Sequence, residues 1–231
     1  MSRVRSTVVH KAEMAKQLYI LSEGELDEMF YECLAERVTG QTFLRDEEFR
    51  LRPGENWKTA MAKARLLVSR FKHWKEKQNV AVIIAVDNDR APNHPGGKQY
   101  PRALHRFDQN KAPRYAALQN MLTEDMGEDV SAWPVNVALA VPVEMIESWV
   151  LLLLNPQREE LPPFSEASQL AHLYYGKTPP PQLKDLRDEE AKQRGVDHLH
   201  LFWTAAEQPL EPAMEASPSL RMFVEQLQNW R

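Results

Sequence analysis

Three apolar runs in this chain each break off into acid. Leu18-Tyr19-Ile20-Leu21 leads into Ser22-Glu23-Gly24, residues 81–86 lead into Asp87-Asn88-Asp89, and residues 135–141 lead toward Glu144 and Glu147. Apolar runs without polar alternation fit strands buried on both faces, as in a parallel sheet covered by helices. Parallel strands need crossover connections, and helical segments follow in the right order. The expected fold class is therefore α/β, with a central, mostly parallel sheet flanked by helices. In such a sheet the carboxyl ends of the strands share one edge, where open α/β folds place their ligand site. The acids would gather there, and hard oxygen ligands of this kind suit Mg2+ or Mn2+.

The first strand is expected at residues 17–21 and the first helix at 25–38, where Leu26, Met29, Phe30, Cys33 and Leu34 recur on one face. Gly40 is its expected C-cap. A short second strand is expected at residues 49–52, stopped by Pro53-Gly54. A long helix over 55–77 carries the apolar stripe Trp57, Met61, Ala64, Leu67, Val68 and Phe71. Its outer face holds Lys58, Lys63, Arg65, Arg70, Lys72, Lys75 and Lys77 against Glu55 and Glu76. That face suits contact with a phosphate backbone, although an ordinary solvated helix face is the commoner meaning of a charge run.

A central strand is expected at 80–86, and the Pro- and Gly-rich stretch 90–111 reads as a long loop above the sheet edge. A helix at 113–124, a strand at 135–141 and a helix at 143–154 follow. Beyond Asn155, Pro162-Pro163 and Pro179-Pro180-Pro181 punctuate short helical pieces. The last helix is expected at 217–230, with Ser217 as N-cap and Pro218 in its first turn. The organisation expected is an α/β core over residues 1–154 and a helical extension over 155–231 packed on the same domain.

The net charge of −4 across 231 residues gives no global attraction to nucleic acid, so any such binding needs a local basic patch. Cys33 is the only cysteine, which excludes an intramolecular disulfide and a cysteine-based zinc site. The basic start lacks an apolar signal region, and the stretch 149–154 is far shorter than the ~20 residues that span a bilayer. A soluble, cytoplasmic protein without a membrane partner is expected.

The acids differ in what else explains them. Glu25, Asp27 and Glu28 fall in a first helical turn, where the helix dipole favours negative charge. Glu23 precedes that turn, and Gly24 beside it would let the backbone bend sharply and approach a ligand. Asp87 and Asp89 follow a buried strand two residues apart and repel each other unless a cation or donors intervene; the competing explanation is an Asx-type turn. Glu144 fits dipole compensation, whereas Glu147 is flanked by Ile146, Trp149 and Val150, which argues against full solvation. His198 and His200 alternate like neighbours on a strand but lack a third metal ligand.

In order, ILSEGELDEMFYECL, VAVIIAVDNDR and VPVEMIESWVLLL resemble the TOPRIM fold, Rossmann-like in build, of OLD-family nucleases and related small bacterial proteins, several linked to phage defence. The resemblance covers residues 17–154. It implies that Glu23, Asp87 and Asp89 hold Mg2+ or Mn2+, with Asp27 and Glu144 nearby and Glu147-Ser148-Trp149 matching the Glu-x-Trp helix of the small proteins. The implied activity is a metal-dependent nuclease or phosphodiesterase, in which Glu147 is expected to complete a second metal site or orient water. The loop 90–111 carries no motif of that family, and Arg90, Lys98 and Arg102 are expected from their charge alone to steady substrate phosphates. The implied partners are DNA or RNA and a separately encoded ATPase, since this sequence has no Walker A loop. The alternative is a non-catalytic TOPRIM-like module that binds an ATPase or nucleic acid. Oligomeric state stays open, a homo-oligomer included.

Overall fold

The computed structural model describes residues 16–22, 24–47, 51–52, 55, 57–71, 79–86, 113–126, 135–142, 146–156 and 198–230. Among them, β1 (Lys16–Leu21), β2 (Phe43–Asp46), β3 (Val80–Ala85) and β4 (Asn136–Ala140) form one sheet in the order β2-β1-β3-β4. Every neighbouring pair is parallel: Leu18 pairs with Arg45 on one side and Ala81 on the other, and Ile83 pairs with Ala138. The helices are α1 (Glu25–Thr39), α2 (Trp57–Phe71), α3 (Pro113–Met126), α4 (Glu147–Leu154), α5 (His198–Ala206), α6 (Leu210–Ala216) and α7 (Pro218–Gln228). The molecule is an α/β fold with a parallel sheet and helices around it.

Alternation along the strands sorts the core into two layers. Leu18, Ile20, Ala81, Ile83, Ala85, Ala138 and Ala140 face one side and pack with α1, α4, α5, α6 and α7. Tyr19, Leu21, Val80, Val82, Ile84, Val86, Leu139 and Val141 face the other, against Ala60, Met61, Ala64 and Leu67 of α2 and Leu118 of α3. The first side presents four alanines, so the volume there is filled by large side chains brought by helices. Trp149 of α4 stacks on Phe223 of α7 with centroids 5.5 Å apart, and Tyr31 of α1 meets both rings edge-on at 6.2 and 5.6 Å. The indole N–H of Trp149 donates to Ser219 Oγ at 2.7 Å, which satisfies the one polar atom this ring buries.

Both helix ends marked by the sequence are capped as expected. Gly40 closes α1 in the left-handed region at φ 67°, and its N–H donates to Glu36 O at 2.8 Å. Ser217 Oγ accepts from the Leu220 N–H at 3.1 Å, with Pro218 opening α7.

Three expectations are corrected. The second strand lies at Phe43–Asp46 and not at 49–52: Leu51 and Arg52 are outside any strand, and Phe49 and Arg50 lie outside the described residues. A strand that is half charged is tolerated because Arg45 reaches Glu32 at 3.5 Å and Glu28 at 3.8 Å, while Asp46 accepts from Gln17. His198 and His200 sit in helix α5, whose buried Phe202 meets Phe30 of α1 edge-on at 5.9 Å. The buried face of α1 is rotated toward Glu28 and Tyr31, leaving Leu26, Met29 and Cys33 only partly covered. No helix among the described residues is long and apolar enough to cross a membrane.

Candidate active site

The strand order decides where a site can form. Going from β1 the chain moves outward to β2, then returns past β1 to β3 and continues to β4, so the direction of winding reverses between β1 and β3. That reversal opens a crevice beyond the carboxyl ends of β1 and β3, the usual ligand position in open α/β sheets. Leu21 pairs with Ile84, so the two strands reach this edge in step. The Val86 N–H still donates to Ala140 O at 2.9 Å, which carries the sheet to the last residue before Asp87.

After Leu21, Ser22 is buried and its hydroxyl donates to Gly24 O at 3.1 Å. Helix α1 begins at once: the Glu28 N–H donates to that same Gly24 carbonyl at 3.1 Å. Gly24 has an extended backbone, φ −143° and ψ 157°, so it is not there to permit a sharp bend, contrary to the reading of the sequence. A side chain at this position would instead meet Asp27, whose carboxylate oxygens lie 3.5 Å from the place a Cβ would occupy. Asp27 therefore leans back over the start of its own helix, toward the end of β1.

On the far side, Ala140, Val141 and Pro142 are buried at the end of β4, and α4 starts at Glu147. Glu147 is half-buried and its Oε2 is enclosed, while Ile146, Trp149 and Val150 around it are in the core. It is the first residue of its helix, the end where negative side chains are commonly found. Asp27 and Glu147 thus belong to helices that both start at the carboxyl edge of the sheet, one after β1 and the other after β4. Glu23, Asp87, Asp89, Glu144, Arg90, Lys98 and Arg102 lie outside the described residues. Among the described residues, no three His, Cys, Asp or Glu side chains form a metal-binding group.

Sequence reasoning explained Glu28 by the helix dipole alone and did not single out Glu32. Glu28 is 2% exposed, with Arg45 at 3.8 Å. Glu32 shares that guanidinium, and burial pushes its carboxyl above the ordinary carboxylate range, against the attraction of Arg45 and with repulsion from Glu36. The available signal was Arg45 itself, a cation in a short strand beside an acidic helix. No family model, characterised protein or solved structure matches this chain.

Proposed function

We propose that this protein is a Mg2+- or Mn2+-dependent nuclease or phosphodiesterase of TOPRIM type, acting at the crevice between the carboxyl ends of β1 and β3. The observation that supports it is the order β2-β1-β3-β4, which makes neighbours of the strands that run directly into Glu23 and Asp87. Those two acids are 64 positions apart in the chain, and the pairing of β1 with β3 brings their strands side by side.

The donor set fits a hard divalent ion, since every side chain involved offers carboxylate oxygen. Glu23, Asp87 and Asp89 would hold it. When bound, the ion supplies Lewis acidity to a phosphoryl oxygen and acidifies a water. Glu147 accepts a proton or a hydrogen bond from water at the β4 side of the crevice, and Asp27 does so at the β1 side. Arg90, Lys98 and Arg102 meet the negative charge of the substrate phosphates. The resemblance in sequence extends the proposal to phage defence in company with a separately encoded ATPase.

The test is cleavage of end-labelled DNA and RNA strands in Mn2+ and in EDTA, comparing the unaltered protein with Asp87→Ala. Activity that needs Mn2+ and falls by about a hundredfold or more in the variant is expected for a lost metal ligand. Cleavage that persists in EDTA, or that Asp87→Ala leaves intact, rules the assignment out.

A further inference from the structure

Helices α1 and α5 pack through Phe30 and Phe202, and outside that contact they leave an open groove of about 340 Å3. Cys33, Glu36 and Arg37 line it from α1, and Trp203, Ala206 and Glu207 from α5 and the residue after it. Trp203 is 48% exposed, although an indole has more apolar area to bury than any other side chain. Its N–H donates to Glu207 Oε1 at 2.9 Å, which tethers the ring beside that carboxylate.

The groove's own contacts leave its carboxylates charged. Glu36 Oε1 accepts from the backbone N–H of Phe43 and Glu207 Oε1 from the indole, both neutral donors, and among the described residues neither acid forms an ion pair. Arg37, the cation of the groove, is committed to the end of α5: it donates to Ala206 O at 2.8 Å and to Gln208 O, where the helix dipole is negative. The Cys33 thiol in the α1 wall registers the resulting field, since repulsion from Glu32, Glu36 and Glu207 adds to burial in pushing it up.

An aromatic face beside two carboxylates with neutral partners attracts a cation. A guanidinium suits it best, because its plane stacks on an indole while its edge forks toward a carboxylate. Enclosed small-molecule sites span roughly 300–1,000 Å3 and bury most of their ligand. This groove is at the lower limit and open, so it fits one side chain carried by a larger partner. Four and seven positions before Cys33, Met29 and Leu26 continue the same side of α1, both only partly covered, which adds about 10 Å of apolar edge.

We infer that the groove between α1 and α5 docks a protein partner through an arginine, its guanidinium on the Trp203 ring between Glu36 and Glu207 and a neighbouring apolar side chain along Met29 and Leu26. No residue of the proposed metal site takes part, so the inference stands apart from the nuclease reading.

The test uses the full chain, isotope-labelled at its tryptophan nitrogens and titrated with a short peptide that holds an arginine three positions from a leucine. Three extended residues cover about 10 Å, the length of the apolar edge. The indole resonance missing from Trp203→Phe identifies Trp203, and it is expected to move saturably with the peptide. The same peptide with uncharged citrulline for arginine is expected to bind about tenfold more weakly or worse. Glu36→Gln/Glu207→Gln removes both charges and keeps an acceptor for the Phe43 N–H and for the indole; a loss of about fivefold is expected. If circular dichroism finds that pair unfolded, the exposed Glu207→Gln is measured alone, with about a twofold loss expected. Glu215→Gln/Glu225→Gln, exposed acids of α6 and α7, changes net charge equally and is expected to leave affinity unchanged. A Trp203 resonance that stays fixed up to millimolar peptide, equal binding of the citrulline peptide, unchanged affinity in the groove variants, or an equal loss in the α6 and α7 pair would overturn the inference.

Discussion

The side-chain amide of Gln226 takes both backbone groups of Leu139, accepting from its N–H at 2.8 Å and donating to its carbonyl at 3.1 Å. Leu139 lies on β4, the outermost strand on that side among the described residues, so a glutamine from α7 occupies the place of a further strand. The opposite outer strand is treated alike, because the Phe43 N–H of β2 donates to Glu36 Oε1 at 3.1 Å. Unpaired strand edges invite pairing with other chains, and here helices that already cover the sheet reach round to occupy them.

Gln226→Ala removes both hydrogen bonds and is expected to cost about 1–3 kcal/mol in thermal unfolding, the usual cost of buried backbone groups left unmatched. Gln226→Glu is expected to cost at least as much, since its carboxylate accepts from the N–H but repels the carbonyl. Light scattering after mild heating is expected to detect association in both variants before the unaltered protein associates. If Gln226→Ala melts with the unaltered protein, the amide contributes nothing at this edge.

Gly40→Ala tests the end of α1 without any clash, because nothing lies within 4 Å of an added Cβ. The left-handed backbone alone is expected to cost about 1–2 kcal/mol, read as a lower urea midpoint at unchanged slope. Gly40→Asn is expected to recover part of that loss. Equal midpoints for all three proteins would place the strain elsewhere.

Cys33 lines an open groove with Glu36, Arg37, Trp203, Ala206 and Glu207. Burial, and then repulsion from Glu32, Glu36 and Glu207, pushes its thiol up to about 11. The thiolate is thus scarce near pH 8, and its greater intrinsic nucleophilicity only partly offsets this, so labelling by a disulfide reagent is expected to run about tenfold slower than for an ordinary cysteine. Since the folded thiol keeps its proton where the unfolded thiol has lost it, this group makes stability fall as pH rises from about 9 to about 11. Cys33→Ala is expected to flatten that segment of the pH–stability curve. Rapid labelling at pH 8 would contradict the acidic, half-buried setting.

Gly24→Ala separates conformation from chemistry. The extended φ of −143° accepts alanine, and the nearest atoms to the new methyl are the Asp27 carboxylate oxygens at 3.5 Å. Stability is expected within about 1 kcal/mol of the unaltered protein, while Mn2+-dependent cleavage is expected to fall because the methyl, in ordinary contact with the Asp27 carboxylate at 3.5 Å, fills space beside it that a ligand would use. Full activity in a folded Gly24→Ala protein would remove Asp27 from the site.

Legibility in the sequence followed the physics of each element. Strand β3 is plain because it is buried on both faces and has no polar residue from Val80 to Ala85. Strand β2 is not, because half of it is charged and its charges are satisfied by Gln17, Glu28 and Glu32, which are local only in space. Trp149 is legible as a core residue, but Ser219, which accepts its indole proton, lies 70 positions away. At the candidate site, acids at strand ends can be seen in the chain, and spacing alone cannot say which strands are neighbours. The pairing of β1 with β3 supplies that, and the backbone of Gly24, extended at φ −143°, is one that spacing along the chain does not reveal.

The proposed metal site requires that the acids after β1 and β3 bind an ion together. Titrating Mn2+ into the protein and reading free Mn2+ by electron paramagnetic resonance tests this without any substrate. Saturable binding that weakens by at least tenfold, about 1.4 kcal/mol, in both Glu23→Gln and Asp87→Asn is the expected result. No saturable binding, or binding that survives both substitutions, would contradict it.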